Sequence, residues 1–458
     1  MERRFHRHWG NGGAGIFALL GQAALLMEAS TWVAFAFGGI VAMFSGYAYA
    51  RLGASYPSNG GIIDFFRRGL GNGVFSLALS LLYLLTLAVS IAMVARAFGA
   101  YAVQFLHEGS QEEHLILLYA LGIIAVMTLF NSLSNHAVGR LEVILVGIKM
   151  MILLLLIIAG VWSLQPAHIS VSAPPSSGAF FSCIGITFLA YAGFGMMANA
   201  ADKVKDPEVI MPRAFLVAIG VTTLLYISLA LVLLSDVSAL ELEKYADTAV
   251  AQAASPLLGH VGYVIVVIGA LLATASAINA NLFAVFNIMD NMGSERELPK
   301  LMNKPLWRQS TWGNIIVVVL IMLMTAALNL GSLASVASAT FLICYLAVFV
   351  VAIRLRHDIH ASLPILIVGT LVMLLVIVGF IYSLWSQGSR ALIWIIGALL
   401  LSLIVAMVMK RNKTRITSLC AQYFLYYCGG GRYSHWQKNV LEYLLKPFNK
   451  AQEALRER

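Results

Sequence analysis

Gly10-Asn11-Gly12-Gly13-Ala14-Gly15-Ile16-Phe17 and Phe188-Leu189-Ala190-Tyr191-Ala192-Gly193-Phe194-Gly195 are two glycine-interrupted stretches of apolar sequence, set about 180 residues apart. The same offset carries the long apolar run at 74–106 onto another at 256–289. Matching interruptions at matching places predict two copies of a five-helix unit. An unwound stretch inside a membrane frees backbone N–H groups and carbonyls where no water competes for them. Free amides beside a helix N-terminus suit a carboxylate, and free carbonyls suit an ammonium. The zwitterion of an α-amino acid carries both groups. Glycines in membrane helices also serve close packing, but two breaks in register favour a binding site.

The sequence around these breaks belongs in lipid. With 60% hydrophobic and 11% charged residues in a chain of 458, and a mean hydropathy of +0.85, there is too little polar surface for water. The apolar runs are continuous, so helices of about 20 residues fit them and alternating barrel strands do not. Spans are expected at 14–28 (short), 31–50, 74–106, 114–131, 142–163, 179–201, 210–235, 256–289, 313–328, 332–352, 363–385 and 391–409. The fold class is therefore all-α integral membrane, with a transmembrane domain at 1–409. Its first repeat covers about 1–163, its second about 179–352, and two extra helices cover 363–409. A basic tail follows at 410–458.

Of the 30 Lys and Arg, 26 fall on one side if the N-terminus is cytoplasmic; Lys244 and Arg390 fall on the other, and Arg96 and Lys149 lie inside apolar spans. That asymmetry predicts a multi-pass protein of the cell (inner) membrane with both termini cytoplasmic. The net charge of +9 then reflects topology and attraction to anionic lipid heads, and implies no nucleic-acid partner. The tail sets ten Lys or Arg against Glu442, Glu453 and Glu457, interleaved with Tyr423, Phe424, Tyr426, Tyr427 and Trp436. Such a segment suits the anionic inner leaflet of the bilayer. Cys183 and Cys344 lie in spans and Cys420 and Cys428 in the tail, a distribution that suggests plain thiols. The run from Gly15 to Met27 lacks a small-residue cleavage site before Glu28, so it reads as a shortened first membrane helix and not as a signal peptide.

Several stretches together resemble the amino acid/polyamine/organocation superfamily of transporters. They are Gly13-Ala14-Gly15-Ile16-Phe17, YAYARLGASYPSNGG at 47–61, FLAYAGFGMMANAADKVKDPEVIMPR at 188–213, Ser276-Ala277-Ile278-Asn279-Ala280 and Glu297-Leu298-Pro299-Lys300. The resemblance implies a LeuT-type five-plus-five inverted repeat plus two extra helices. It implies that the amides of Ala14 and Gly15 meet the substrate carboxylate, with the Asn11 carbonyl near the amino group, and that Leu189 and Ala192 offer carbonyls from the second break. Thr86 and Ser90, four apart on one helix face, are the side chains expected to select the substrate. Either could instead bond its own i−4 carbonyl. The sequence departs from the family at Ala14, where a hydroxyl is usual, and at Gly195, where an acid is usual. The resemblance also implies a half-helix ahead of the first break, a task for which MERRFHRHWGNG at 1–12 is too short and too charged.

Lys149 stands within VILVGIKMMILLLLIIA at 143–159. An intramembrane charge costs about 2.5–3.5 kcal/mol even on mild insertion scales, so it normally has a partner and a task. In the resembled proton-coupled transporters a lysine of the fifth helix takes the place of a sodium ion between helices one and eight. The resemblance therefore makes Lys149 the proton-coupling residue, with acceptors at the carbonyls of Gly12 and Gly13 and the hydroxyls of Thr274 and Ser276. A static internal cation is the alternative. The expected function is that of a secondary active transporter, an amino acid permease working by symport with protons, with no cofactor and no enzymatic activity. No G-x-x-x-x-G-K-[ST] loop and no intramembrane His/Asp/Glu cluster is present. An amino acid exchanger, a polyamine carrier, or a non-transporting sensor lacking the first half-helix are the alternatives.

Overall fold

A computed structural model describes residues 14–58, 60–107, 112–133, 138–162, 176–195, 197, 204, 206–236, 239–295, 297–299, 302–307 and 310–429. Fourteen helices follow in chain order: α1 Ala14–Met27, α2 Thr31–Ser55, α3 Ile62–Leu70, α4 Val74–Leu106, α5 Glu113–Leu133, α6 Val138–Val161, α7 Ser177–Tyr191, α8 Pro207–Asp236, α9 Ala239–Tyr245, α10 Ala249–Ser294, α11 Trp312–Ala327, α12 Leu330–Arg354, α13 Leu363–Ser386 and α14 Ala391–Gly429. Among the described residues the remaining regular structure is a pair of short antiparallel strands, β1 Pro305–Trp307 and β2 Ser310–Thr311, and short 3-10 turns. Residues Met1–Ile404 form one compact unit and Val405–Arg458 another. The expected leaflet-binding tail beyond 429 lies outside the described residues, as do Asn11 and the expected acceptors Gly12 and Gly13.

Nine helical segments among the described residues are long and apolar enough to cross a bilayer, and Gly15–Met27, Val146–Val161 and Trp312–Ala327 are shorter apolar helices. Together they account for the twelve expected spans. The expected run 256–289 is not one straight rod. Gly259 adopts φ 67°, ψ −167° three residues after Pro256, a backbone state that glycine accepts and other residues resist. Pro256 also lacks an N–H for the preceding turn. The spanning part of α10 therefore starts beyond Gly259.

Helices that the sequence offset pairs lie against one another: α1 on α7, α2 on α8, α4 on α10 and α5 on α11. The α2–α8 contact is closest where Gly39 and Gly46, seven apart on one face, meet Thr223 and Ile219, four apart on the other. Small residues let membrane helices approach where water supplies no driving force. α4 is the central member: 83% of its apolar window is buried, against 28% for α13. At a rise of about 1.5 Å per residue its 33 residues exceed a bilayer core of about 30 Å, so it tilts or projects.

Candidate functional site

The α-helical part of the second break ends at Tyr191, and residues 192–195 continue as a 3-10 turn. Ala192 N–H closes that turn on the Leu189 carbonyl. α1 starts at Ala14 and packs against this region so tightly that a Cβ on Gly15 would stand 2.9 Å from Ala190 Cα. Between α1 and α7, the helices α4, α10 and α12 border a cavity of about 50 Å³. Gly15 forms one wall, and Leu189, Ala190, Ala192 and Gly193 form another. Ser90 of α4, Asn281 of α10 and Phe341 of α12 complete it.

Four of the expected site residues thus surround one cavity: Gly15, Ser90, Leu189 and Ala192. Asn11 lies outside the described residues, and Ala14 is the first residue of α1. Thr86 is fully buried, is not part of the cavity wall, and donates to its own Leu82 carbonyl at 2.7 Å. The carbonyls of the second break have donors in this conformation. Tyr345 Oη donates to the Ala192 carbonyl at 2.7 Å, and Tyr226 Oη to the Ala190 carbonyl at 3.4 Å. Each carbonyl has two lone pairs, so a tyrosine donor leaves room for an ammonium.

Tyr345 was not foreseen from the sequence, and it organises one end of the site. Its ring meets those of Tyr49 at 5.0 Å, Phe194 at 5.4 Å, Phe188 at 5.5 Å and Phe341 at 5.8 Å. This aromatic plug adjoins the cavity, shares Phe341 with its wall and extends towards the Arg354 end of α12. A Cβ at Gly195 would stand 2.8 Å from Tyr345 Oη. The tyrosine therefore fills the space that a longer side chain at 195 would occupy, which accounts physically for the glycine there. Asn281 was also not foreseen, because a polar residue on a long buried helix carries no local sign of which way it faces.

Lys149 is 1% exposed, on a helix that packs against α10 and α8. Its two expected hydroxyl acceptors differ. Thr274 Oγ1 donates to the Ala270 carbonyl at 2.6 Å, within its own helix. Ser276 Oγ is buried with no hydrogen-bond partner among the described residues, so it does not accept from Lys149 in this conformation. Arg96, the other intramembrane charge, is 6% exposed. Its Nε donates to the Thr325 carbonyl at 2.8 Å, and its guanidinium pairs with the carboxylate of Glu113. It braces α4 to α5 and α11.

The family model for amino acid permeases matches residues 11–409. An Escherichia coli (strain K12) inner membrane transport protein, YbaT, is 99% identical over 402 residues, 88% of this chain and 94% of the relative. The methylthioribose transporter of Bacillus subtilis (strain 168) is 26% identical over 81% of this chain and 85% of its own length. The serine/threonine exchanger SteT of the same organism is 25% identical over 63% of this chain and 66% of its own length. Nine membrane-length helices and three shorter apolar ones among the described residues, a cavity between α1 and α7, and a family match across almost all of that region lead to one conclusion: this chain belongs to the amino acid permease family, and is a membrane transporter and not an enzyme.

Proposed function

We propose that this chain carries a small neutral α-amino acid across the inner membrane together with protons, with both termini in the cytoplasm. The observation that carries the reading is the meeting of Gly15, Ser90, Leu189 and Ala192 around one cavity between α1 and α7. Backbone from the breaks serves the two charged ends of a zwitterion, and Ser90 with Asn281 faces what remains. The cavity of about 50 Å³ is roughly four times the space one water needs, which favours a short side chain. Among the described residues that line it there is no Asp, Glu, Lys or Arg, which favours a neutral substrate over a polyamine. The names of the serine/threonine exchanger and of the inner membrane transport protein support the substrate class and the membrane. The first name also supports a second reading, exchange of one amino acid for another. The positive-inside asymmetry of the loops supports the orientation.

Coupling rests on Lys149. Charged, it attracts the carbonyls and hydroxyls between the first broken helix and α10; neutral, it loses that attraction and frees the hinge. The burial of Lys149, 1% exposed on a helix that packs against α10, supports this assignment. The test is radiolabelled serine, threonine and alanine uptake into proteoliposomes, with and without an imposed proton gradient. Lys149→Ala should abolish the response to the gradient and leave part of the exchange. Lys149→Arg, charged at every accessible pH, should impair net uptake more than exchange. Wild-type uptake that ignores the gradient, or Lys149→Ala uptake that follows it fully, would sink proton coupling through this residue.

A further inference from the structure

At the end of the cavity away from the tyrosine plug, α1 runs into a closed polar seam. Gly21 lies so near the 3-10 turn Ala246–Thr248 that a Cβ would collide with the Ala246 carbonyl. One residue on, Gln22 Nε2 donates to Asp247 Oδ1 at 2.7 Å. The Oε1 of Gln22 lies 2.9 Å from where a Cβ of Gly331 would stand, at the start of α12. One side chain thus joins three elements: α1, the turn ahead of α10, and α12.

Between this seam and the cavity the route is shut by α1 against α4. Tyr101 Oη donates to the Phe17 carbonyl at 3.1 Å, and the two rings meet edge to face at 6.3 Å. Val94, Ala97 and Tyr101 follow one another along a face of α4. Val94 is on the cavity wall, and Ala97 and Tyr101 are 0% exposed. The charged and titratable neighbours of Asp247 are Arg96 and Glu113, with Tyr101. Arg96 is held by the Thr325 carbonyl and by Glu113, so Gln22 supplies the hydrogen bond that ties the turn to α1.

We infer that Gln22 and Asp247 form the latch that keeps this mouth of the cavity closed, and that breaking their hydrogen bond is a step in opening it. The latch does not depend on which solute is carried or on whether protons drive it. An experiment that needs no transport tests it. The full chain, with its four cysteines replaced and Ala97→Cys introduced, is embedded in nanodiscs and labelled with a polar maleimide. Gln22→Ala and Asp247→Ala should each raise the labelling rate about tenfold, the worth of one hydrogen bond to a charged group. Combining them should add nothing further, because both remove the same bond. Gln22→Glu should raise the rate as much by placing two carboxylates together. Adding Asp247→Asn should restore it, since donor and acceptor then exchange places. The inference is overturned if Gln22→Ala leaves labelling unchanged, if the two alanine effects add, or if Asp247→Asn does not rescue Gln22→Glu. A lower melting temperature at wild-type labelling rate overturns it too, since the bond would then serve only the fold.

Discussion

Gly15→Ala is the smallest change that tests whether the contact between α1 and α7 is a binding wall. The added methyl would stand 2.9 Å from Ala190 Cα, 3.1 Å from its carbonyl oxygen and 3.3 Å from its Cβ. Carbon atoms settle at about 3.5–4.0 Å, so the shortfall at the nearest atom is about 0.6–1.1 Å. The obstructing atoms are backbone, which no rotamer change moves aside. α1 and α7 must therefore separate, and the separation falls where Gly15 and Leu189 to Gly193 line the cavity. Overpacking of this kind costs about 1–3 kcal/mol. If the cost falls on the substrate-bound state, apparent affinity drops by about fivefold to a hundredfold. Gly122→Ala on α5 is the control, because nothing lies within 4 Å of its added Cβ; helix propensity makes that change neutral or slightly favourable. The assay is substrate-dependent thermal shift of purified protein alongside initial uptake rates. A Gly15→Ala protein that binds and transports like the Gly122→Ala control refutes the argument that this contact shapes the site.

Three further outcomes follow from the same geometry. Ser90→Ala should weaken apparent substrate affinity while Thr86→Val changes it less than about twofold, since the Thr86 hydroxyl is spent on Leu82; equal effects in a competition assay would refute the distinction. Tyr345→Phe keeps the ring in the aromatic plug but strips the donor from the Ala192 carbonyl, at a cost of about 1–3 kcal/mol for the orphaned acceptor. It should lower the melting midpoint and the protection that substrate gives, and a variant matching wild type in both would remove the hydroxyl from the account. Arg67→Ala breaks a mostly buried pair with Glu297, 2.9 Å, and a contact with Asp64, 3.2 Å, the Arg67 and Glu297 side chains being 13% and 7% exposed. It should lose up to about 3 kcal/mol, and adding Glu297→Ala should recover part of that by removing the stranded carboxylate; a double variant less stable than the single one would contradict this.

What the sequence disclosed and what it hid divide along a physical line. Lipid imposes long apolar runs and intrahelical hydrogen bonding on every span, so the twelve helices could be read from hydropathy alone. The break near Gly193 could be read because glycine in an apolar run is a local signal, and the buried charge of Lys149 because a lysine there is conspicuous. The rotation of each helix could not be read. In α4 nearly every face is buried, so apolar and polar positions no longer mark inside and outside. Thr86 and Ser90 share a helix face by spacing, yet Ser90 reaches the cavity and Thr86 does not, because the stripe of α4 turned to the void runs through Tyr83, Leu87, Ser90 and Val94 and Thr86 lies to one side of it. Tyr226, Tyr345 and Gln22 act on partners 36, 153 and 225 residues away, and no local pattern announces such pairings. The same rule explains why the breaks are stable at all. Unwinding leaves carbonyls that lipid cannot satisfy, and here distant tyrosines supply the missing donors. A donor from elsewhere in the chain can be withdrawn when that part moves, whereas one within the helix cannot. The hydroxyls of Tyr345 and Tyr226 therefore make the break near Ala192 both stable at rest and sensitive to the position of α12 and α8, two properties that suit a helix lining a transporter's central cavity.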